Sequence, residues 1–336
     1  MPQHRLAPRR LACRRLLHLA LALAACSPAL WPAAATAQSL SGPIKLTVGF
    51  PPGSGPDVVA RTLGQALGEE LKLPLAVDNK AGAGGQIAAQ SVAKSLADGN
   101  TVLLGEVGSI SIAPPAFSKL PYQPLKELVA ISEVVRSDFV MVVPATSPHR
   151  TVAEFVKAAK ADKLAVLFAT FGAGTPGHFG AELLGSQAGF AVEAVHYRST
   201  GDAITGIIAG DVKAAMVSTA LAMAQVKGGK VRALATTAKE RSALLPDVPT
   251  FAEAGYPGAD FSAWFALMAP AATPAPVLDL LQRATVTALR QPEVSKKLQE
   301  AGFVMVASSR ADAQAMMVRE ASRWAAVVKA SGFKGD

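Results

Sequence analysis

Twice in this chain a short apolar run leads into a Gly-x-Gly turn, and a proline follows where a helical pattern begins. The first run, Ile44-Lys45-Leu46-Thr47-Val48-Gly49-Phe50, enters Pro51-Pro52-Gly53-Ser54-Gly55-Pro56-Asp57. The second, 164–169, enters Phe171-Gly172-Ala173-Gly174-Thr175-Pro176-Gly177-His178. Short runs of this kind read as buried strands. Proline suits a first helical position because the N–H it lacks would have had no intrahelical acceptor, and Thr175 is a good N-cap. Val59, Leu63, Leu67 and Leu71 then recur every four residues, one buried stripe. Each unit is therefore strand, glycine turn, helix. Free amides and the positive end of the helix dipole leave such a turn ready for an anion. Two of them facing one another would grip a small anion mostly through the main chain.

The rest of the chain alternates in the same way. Strands are predicted at 75–78, 101–105, 139–144, 191–197, 212–217, 231–236 and 261–270. Between them lie a helical stripe through Ile87, Val92 and Leu96, and a helix opened by a Thr151/Glu154 capping box. Two helices, 276–290 and 312–330, close the sequence, the latter carrying Met316, Met317, Trp324 and Val328. Alternating strands and helices imply right-handed βαβ units and parallel sheet, an α/β fold.

The first 37 residues read as a secretory signal peptide: five arginines, an apolar core at 16–25, and Ala35-Thr36-Ala37 before Gln38. A lipobox at Leu23-Ala24-Ala25-Cys26 and a twin-arginine signal at Arg14-Arg15 stay open as alternatives. Without that leader 28 basic residues face 25 acidic ones, so the basic balance of the whole chain does not point to nucleic acid. Both cysteines, Cys13 and Cys26, lie in the leader, which excludes disulfides and thiolate chemistry from a mature chain cut at Ala37. About 299 residues suit two domains.

The residues expected to meet a ligand are Phe50, Gly53, Ser54, Gly55 and Asp57 on the first turn and Gly172, Gly174, Thr175 and His178 on the second. Ser109, Tyr197 and Ser218 join them because they follow strand ends, where cleft loops lie in α/β folds. Asp57 also suits a structural role at its own helix start. His196, Arg198, Ser199, Thr200 and Trp264 are further candidates, each as readily placed on the surface or in the core. The second turn matches G-x-G-x-x-G with Glu193 about 20 residues on, a dinucleotide pattern. Glu193 lies inside its strand rather than at the end, and Pro176 removes a donor that a pyrophosphate would need. Ser91-Val92-Ala93-Lys94 matches S-x-x-K without its companion motifs. No cofactor, no metal site and no catalytic residue is expected.

Laid out in order, the motifs resemble those of the Bug-type receptors, the periplasmic solute-binding proteins of tripartite tricarboxylate transporters. The resemblance rests on Phe50-Pro51-Pro52-Gly53 with Asp57 and Arg61, Asp78-Asn79-Lys80 with Gly82-Ala83-Gly84-Gly85, and Ala97-Asp98-Gly99. It continues through Leu120-Pro121-Tyr122, Gly172-Ala173-Gly174-Thr175, and 245–250 with Glu253-Ala254-Gly255, to Trp264-Phe265 with Ala269-Pro270. It implies a type II periplasmic-binding fold, two Rossmann-like lobes joined by two crossing strands, with lobe 1 as 38–139 plus 262–336 and lobe 2 as 140–261. It also implies a small carboxylate held by loops of both lobes, delivery to membrane transporter subunits, a periplasmic and monomeric protein, and no enzyme activity. A sensing subunit of a signalling system and a periplasmic hydrolase using Ser54 or Ser91 are the alternatives. The chain departs from the family at Pro56, where a hydroxyl residue is usual, at Lys80-Ala81 for Arg-Pro, and at Gln86 for Asn. Ser218-Thr219 stand where an aspartate often does, the acid that an amino-acid ligand would need for its ammonium.

Overall fold

The computed structural model describes residues 40–162, 164–197 and 200–335. The expected leader, and the candidates Arg198 and Ser199, lie outside the described residues. The apolar run at the start becomes β1 (Ile44–Val48), and the four-residue stripe becomes α1 (Gly55–Leu71). Val59, Leu63 and Leu67 are fully buried on that helix, each contributing about 1.5–3 kcal/mol by leaving water. There follow β2 (Leu75–Asn79), a 3₁₀ turn (Ala83–Gly85), α2 (Gln86–Ala93) and β3 (Thr101–Glu106). α2 ends before Leu96, which is exposed, as is Ile87; of the expected stripe Val92 is buried. β1 lies between β2 and β3, parallel to both.

β4 (Leu128–Pro144) is 17 residues long and starts well before the expected strand. Its first part carries Ser132, Glu133, Ser137 and Asp138, polar residues that hide a strand from a hydrophobicity pattern. After it come α3 (Val152–Ala161), β5 (Val166–Thr170), α4 (Pro176–Ala188), β6 (Val192–His196), α5 (Thr200–Ala209), β7 (Ala214–Ser218), α6 (Thr219–Lys227) and β8 (Val231–Thr236). The expected pair closes this helix start: Glu154 N–H donates to the Thr151 hydroxyl, and the Glu154 carboxylate accepts from Arg150 N–H, one residue ahead of the N-cap amide that a full capping box would use. β9 (Ser262–Pro270), α7 (Ala275–Leu289), α8 (Pro292–Glu300), β10 (Val304–Met305) and α9 (Arg310–Ser331) complete the described chain. α8 is a third closing helix where two were expected. It buries two apolar side chains, Val294 and Leu298, in an otherwise charged segment, which leaves a faint signal.

The strands form one sheet in the order β2-β1-β3-β9-β4-β7-β5-β6, with β8 and β10 also on β4. β4 is the hinge of the arrangement. Its residues 128–138 pair antiparallel with β9, and from Phe139 onward it pairs with β7 and β8. Register shifts in the β4–β9 and β4–β8 ladders mark bulges, which increase strand twist. Beyond the change of partner the sheet is covered on both faces. Met141, Val143, Phe168 and Met216 pack on one side, Val140, Val142, Ala169 and Val217 on the other, the period of two that a strand imposes. No helix among the described residues is long and apolar enough to cross a membrane.

Candidate ligand-binding site

The first glycine turn is closed on itself. The Asp57 carboxylate accepts from Gly53 N–H at 2.9 Å, from Arg61 Nε at 2.9 Å and from Asn79 Nδ2 at 2.8 Å. Asn79 Nδ2 also donates to the Phe50 carbonyl, and the Ser54 hydroxyl donates to the Pro51 carbonyl. Burial alone would raise the Asp57 carboxyl, but the hydrogen bonds from Arg61, Gly53 and Asn79 outweigh it and hold it down to about 2. The start of α1 thus already has its anion.

The second turn has the same layout with a different residue closing it. The Thr175 hydroxyl donates back to the Gly172 carbonyl at 2.8 Å and does not cap α4. Gly174 N–H donates to His178 Nδ1 at 3.2 Å, so the ring that the sequence offers as a donor to the ligand accepts from the turn instead. His178 is buried, and that burial, with His196 beside it, lowers its pKa to about 4. It is neutral at pH 7. The first amides of α4, without a side-chain cap, keep their donors and the positive end of the helix dipole.

A cavity of about 380 Å³ opens in front of this second turn. Ala173, Gly174, Thr175 and Gly177 line it from the α4 side. From the β1–β3 side it is lined by Ala83, Gly84 and Gln86, with Phe50 and Pro56 from the flanks of the first turn. The turn at 82–85 therefore faces the cavity, and of 53–57 Pro56 alone lines it. Gly82, Ala83, Gly84 and Gly85 have φ of 137°, 47°, 59° and 87°, a left-handed run that only glycine-rich backbone accepts readily. Gly49 lets this turn approach: a Cβ there would stand 2.5 Å from Gly85 Cα. Five phenylalanines, Phe50, Phe117, Phe139, Phe171 and Phe265, line the cavity. Among the described lining residues none is Lys, Arg or His.

One acid faces the cavity, and the sequence reading did not single it out. Glu106, at the C-terminal end of β3, is 5% exposed and accepts from Gly108 N–H at 2.7 Å and Ser109 N–H at 2.6 Å. Burial pushes its carboxyl up to about 7, with those two amides partly opposing the rise. Its position after an apolar strand, where β-strand ends face ligands, was the available signal.

Of the expected residues, Phe50, Gly174 and Thr175 line the cavity. Gly53, Ser54, Gly55 and Asp57 form the closed first turn, and Gly172 and His178 brace the second. Ser109 is buried beneath, its carbonyl taken by the Tyr122 hydroxyl at 2.6 Å. Tyr197 packs among the apolar residues of β5, β7 and α5. Ser218 caps α6 through Leu221 N–H. Trp264 is a core residue. Ser91 accepts from Lys80 Nζ at 2.8 Å, and Glu193 pairs with Leu167 in mid-strand.

Comparison with known proteins follows this geometry. A family described as "Tripartite tricarboxylate transporter family receptor" matches residues 59–333. Protein BugT of Bordetella pertussis is 33% identical over 293 residues, covering 87% of this chain and 90% of BugT. The malate-bound MatC of Rhodopseudomonas palustris superposes with a TM-score of 0.75 at 29% identity, over 85% of this chain and 98% of that one. R. palustris Rpa4515 with adipate does so with a TM-score of 0.79 at 27% identity, over 90% and 99%. The α/β architecture is thus that of periplasmic binding proteins, and the chain belongs to the tripartite tricarboxylate transporter receptor family.

Proposed function

We propose that this chain is an extracytoplasmic receptor that captures a small organic carboxylate and delivers it to the membrane subunits of a tripartite tricarboxylate-type transporter. The lobes are 38–139 plus 262–336 and 140–261, and they close about the strands that join them, burying the anion and excluding water. The observation that carries this reading is a cavity with uncapped helix amides on one side, a left-handed glycine turn on the other and no cationic side chain among its described lining residues. Such a site holds an anion by oriented main-chain dipoles. The malate and adipate found in two relatives are ligands of that class. No reaction is assigned: the Ser54 hydroxyl donates to a carbonyl, and Ser91 on α2 accepts from Lys80, which follows β2, neither serine lining the cavity.

A thermal-shift screen of the purified chain over mono-, di- and tricarboxylates, ring acids and neutral analogues tests the reading. Ligand binding to the folded state raises Tm by mass action. Carboxylates alone are expected to shift it. Shifts produced by neutral compounds and by no acid would overturn the anion site.

A further inference from the structure

Resting on that reading, we propose that the cavity selects a carboxylate built on a flat ring that also carries a hydrogen-bond donor, an amino, hydroxyl or protonated ring-nitrogen group, directed at Glu106. Three observations converge on it.

The first is the wall. Phe139 and Phe265 lie on β4 and β9, Phe50 and Phe171 just past the ends of β1 and β5, and Phe117 in the segment between β3 and β4, so ring surface reaches the cavity from both halves of the sheet. A Cβ built on Gly174 would stand 3.5 Å from the Phe117 ring, which places an aromatic side chain against the turn proposed to hold the carboxylate. Aromatic pairs in offset or edge-on contact gain about 0.5–1.5 kcal/mol beyond the area they bury. A flexible aliphatic chain gains no such term and loses rotamer freedom when fixed.

The second is the place of Glu106. It is paired with Phe265 across the β3–β9 ladder, and directly opposed residues in an antiparallel ladder project on the same face. The carboxyl and that ring therefore lie side by side at the cavity. A second carboxylate, as on an aliphatic diacid, would meet an acid there instead of a cation.

The third is unused acceptor capacity. A carboxylate offers about four lone-pair sites, and the Gly108 and Ser109 amides with the Ser109 side chain take no more than three of them. Among the described residues no Lys, Arg or His forms an ion pair with Glu106. A buried carboxyl without a cation is costly, and a donor on the ligand offsets that cost when it arrives.

Calorimetric titration of the wild-type protein with benzoate, 4-hydroxybenzoate, 3-aminobenzoate, nicotinate, malate and adipate decides the matter. At least one donor-bearing ring acid is expected to bind ten times tighter than benzoate, and benzoate tighter than malate or adipate. In Glu106→Gln, checked for folding by its ligand-free Tm, the preference for the donor-bearing acid should fall from tenfold to near one. A wild-type preference for malate or adipate over every ring acid overturns the proposal and leaves the carboxylate receptor standing. A Glu106→Gln protein that keeps the tenfold preference overturns the role of Glu106. Failure of every acid to bind removes the underlying receptor reading as well.

Discussion

The two glycine turns are alike in sequence and opposite in use. In each, a hydroxyl donates to the carbonyl three residues back, Ser54 to Pro51 and Thr175 to Gly172. In each, a glycine amide is taken by the side chain four residues on, Gly53 by Asp57 and Gly174 by His178. The difference is the charge of that fourth residue. Asp57 is an anion at the start of α1 and satisfies the helix dipole from within. His178 is neutral and leaves the dipole of α4 unanswered, so an outside anion has something to bind. The facing role passes to the 82–85 turn, while the first turn contributes its flanks, Phe50 and Pro56. Matching turn patterns therefore do not establish matching roles; the residue that closes the turn decides whether its electrostatics are spent internally.

The largest test of this contrast is a pair of variants at glycines of nearly the same conformation, φ +75° at Gly174 and φ +80° at Gly53. Gly174→Asp should cut affinity for the best carboxylate of the thermal-shift panel by a hundredfold or more, by calorimetry, because it puts an anion at the start of α4. Gly53→Asp carries a similar backbone strain and should change that affinity less than threefold. Equal losses would show that both turns bind ligand.

A smaller effect is expected from Asp57→Ala. It leaves the Gly53 amide without its acceptor and takes one of two acceptors from Asn79 Nδ2, and should lower stability by about 1–3 kcal/mol in denaturant unfolding. Affinity should stay within threefold. A large loss of affinity with little loss of stability would place Asp57 in the ligand site.

The smallest effect is in pH dependence, where the two closing residues give separate windows. Both have folded-state pKa values below their unfolded ones, so each contribution is present above the unfolded value and is lost as pH falls through the folded one. For His178 that window runs from 6.5 down to about 4, and for Asp57 from 3.8 down to about 2. Tm against pH for wild type minus His178→Gln should slope in the upper window, and for wild type minus Asp57→Asn in the lower. Glu106, raised from 4.5 to about 7, runs the other way, with stability lost as pH rises, and cancels in both differences. Identical windows for the two variants would contradict the assignment.

Much of the architecture was legible because local chemistry repeats it. The stripe on α1, the helix cap at Thr151 and Glu154 and the buried face of α9 were read from spacing and are present. The start of β4 was not legible, because two of its polar residues, Ser132 and Asp138, are matched to partners far along the chain. Ser132 donates to the Ser308 carbonyl, Glu133 binds Arg136, and Asp138 accepts from Ser262. The site was read in part. The glycine turn before α4 is legible from its strand-Gly-x-Gly-Pro pattern, whereas the 82–85 turn reads from the sequence as a family motif alone.

What the sequence determined by itself is which segments become strands, which turns carry glycine and where helices start, since those follow from side-chain period and backbone freedom within a few residues. Tertiary structure decided which turns face each other, that five phenylalanines from separate strands and loops share one cavity, and that Glu106 looks into it. Those facts depend on sheet order and on the change of partner along β4, contacts between residues more than a hundred positions apart that no local pattern encodes.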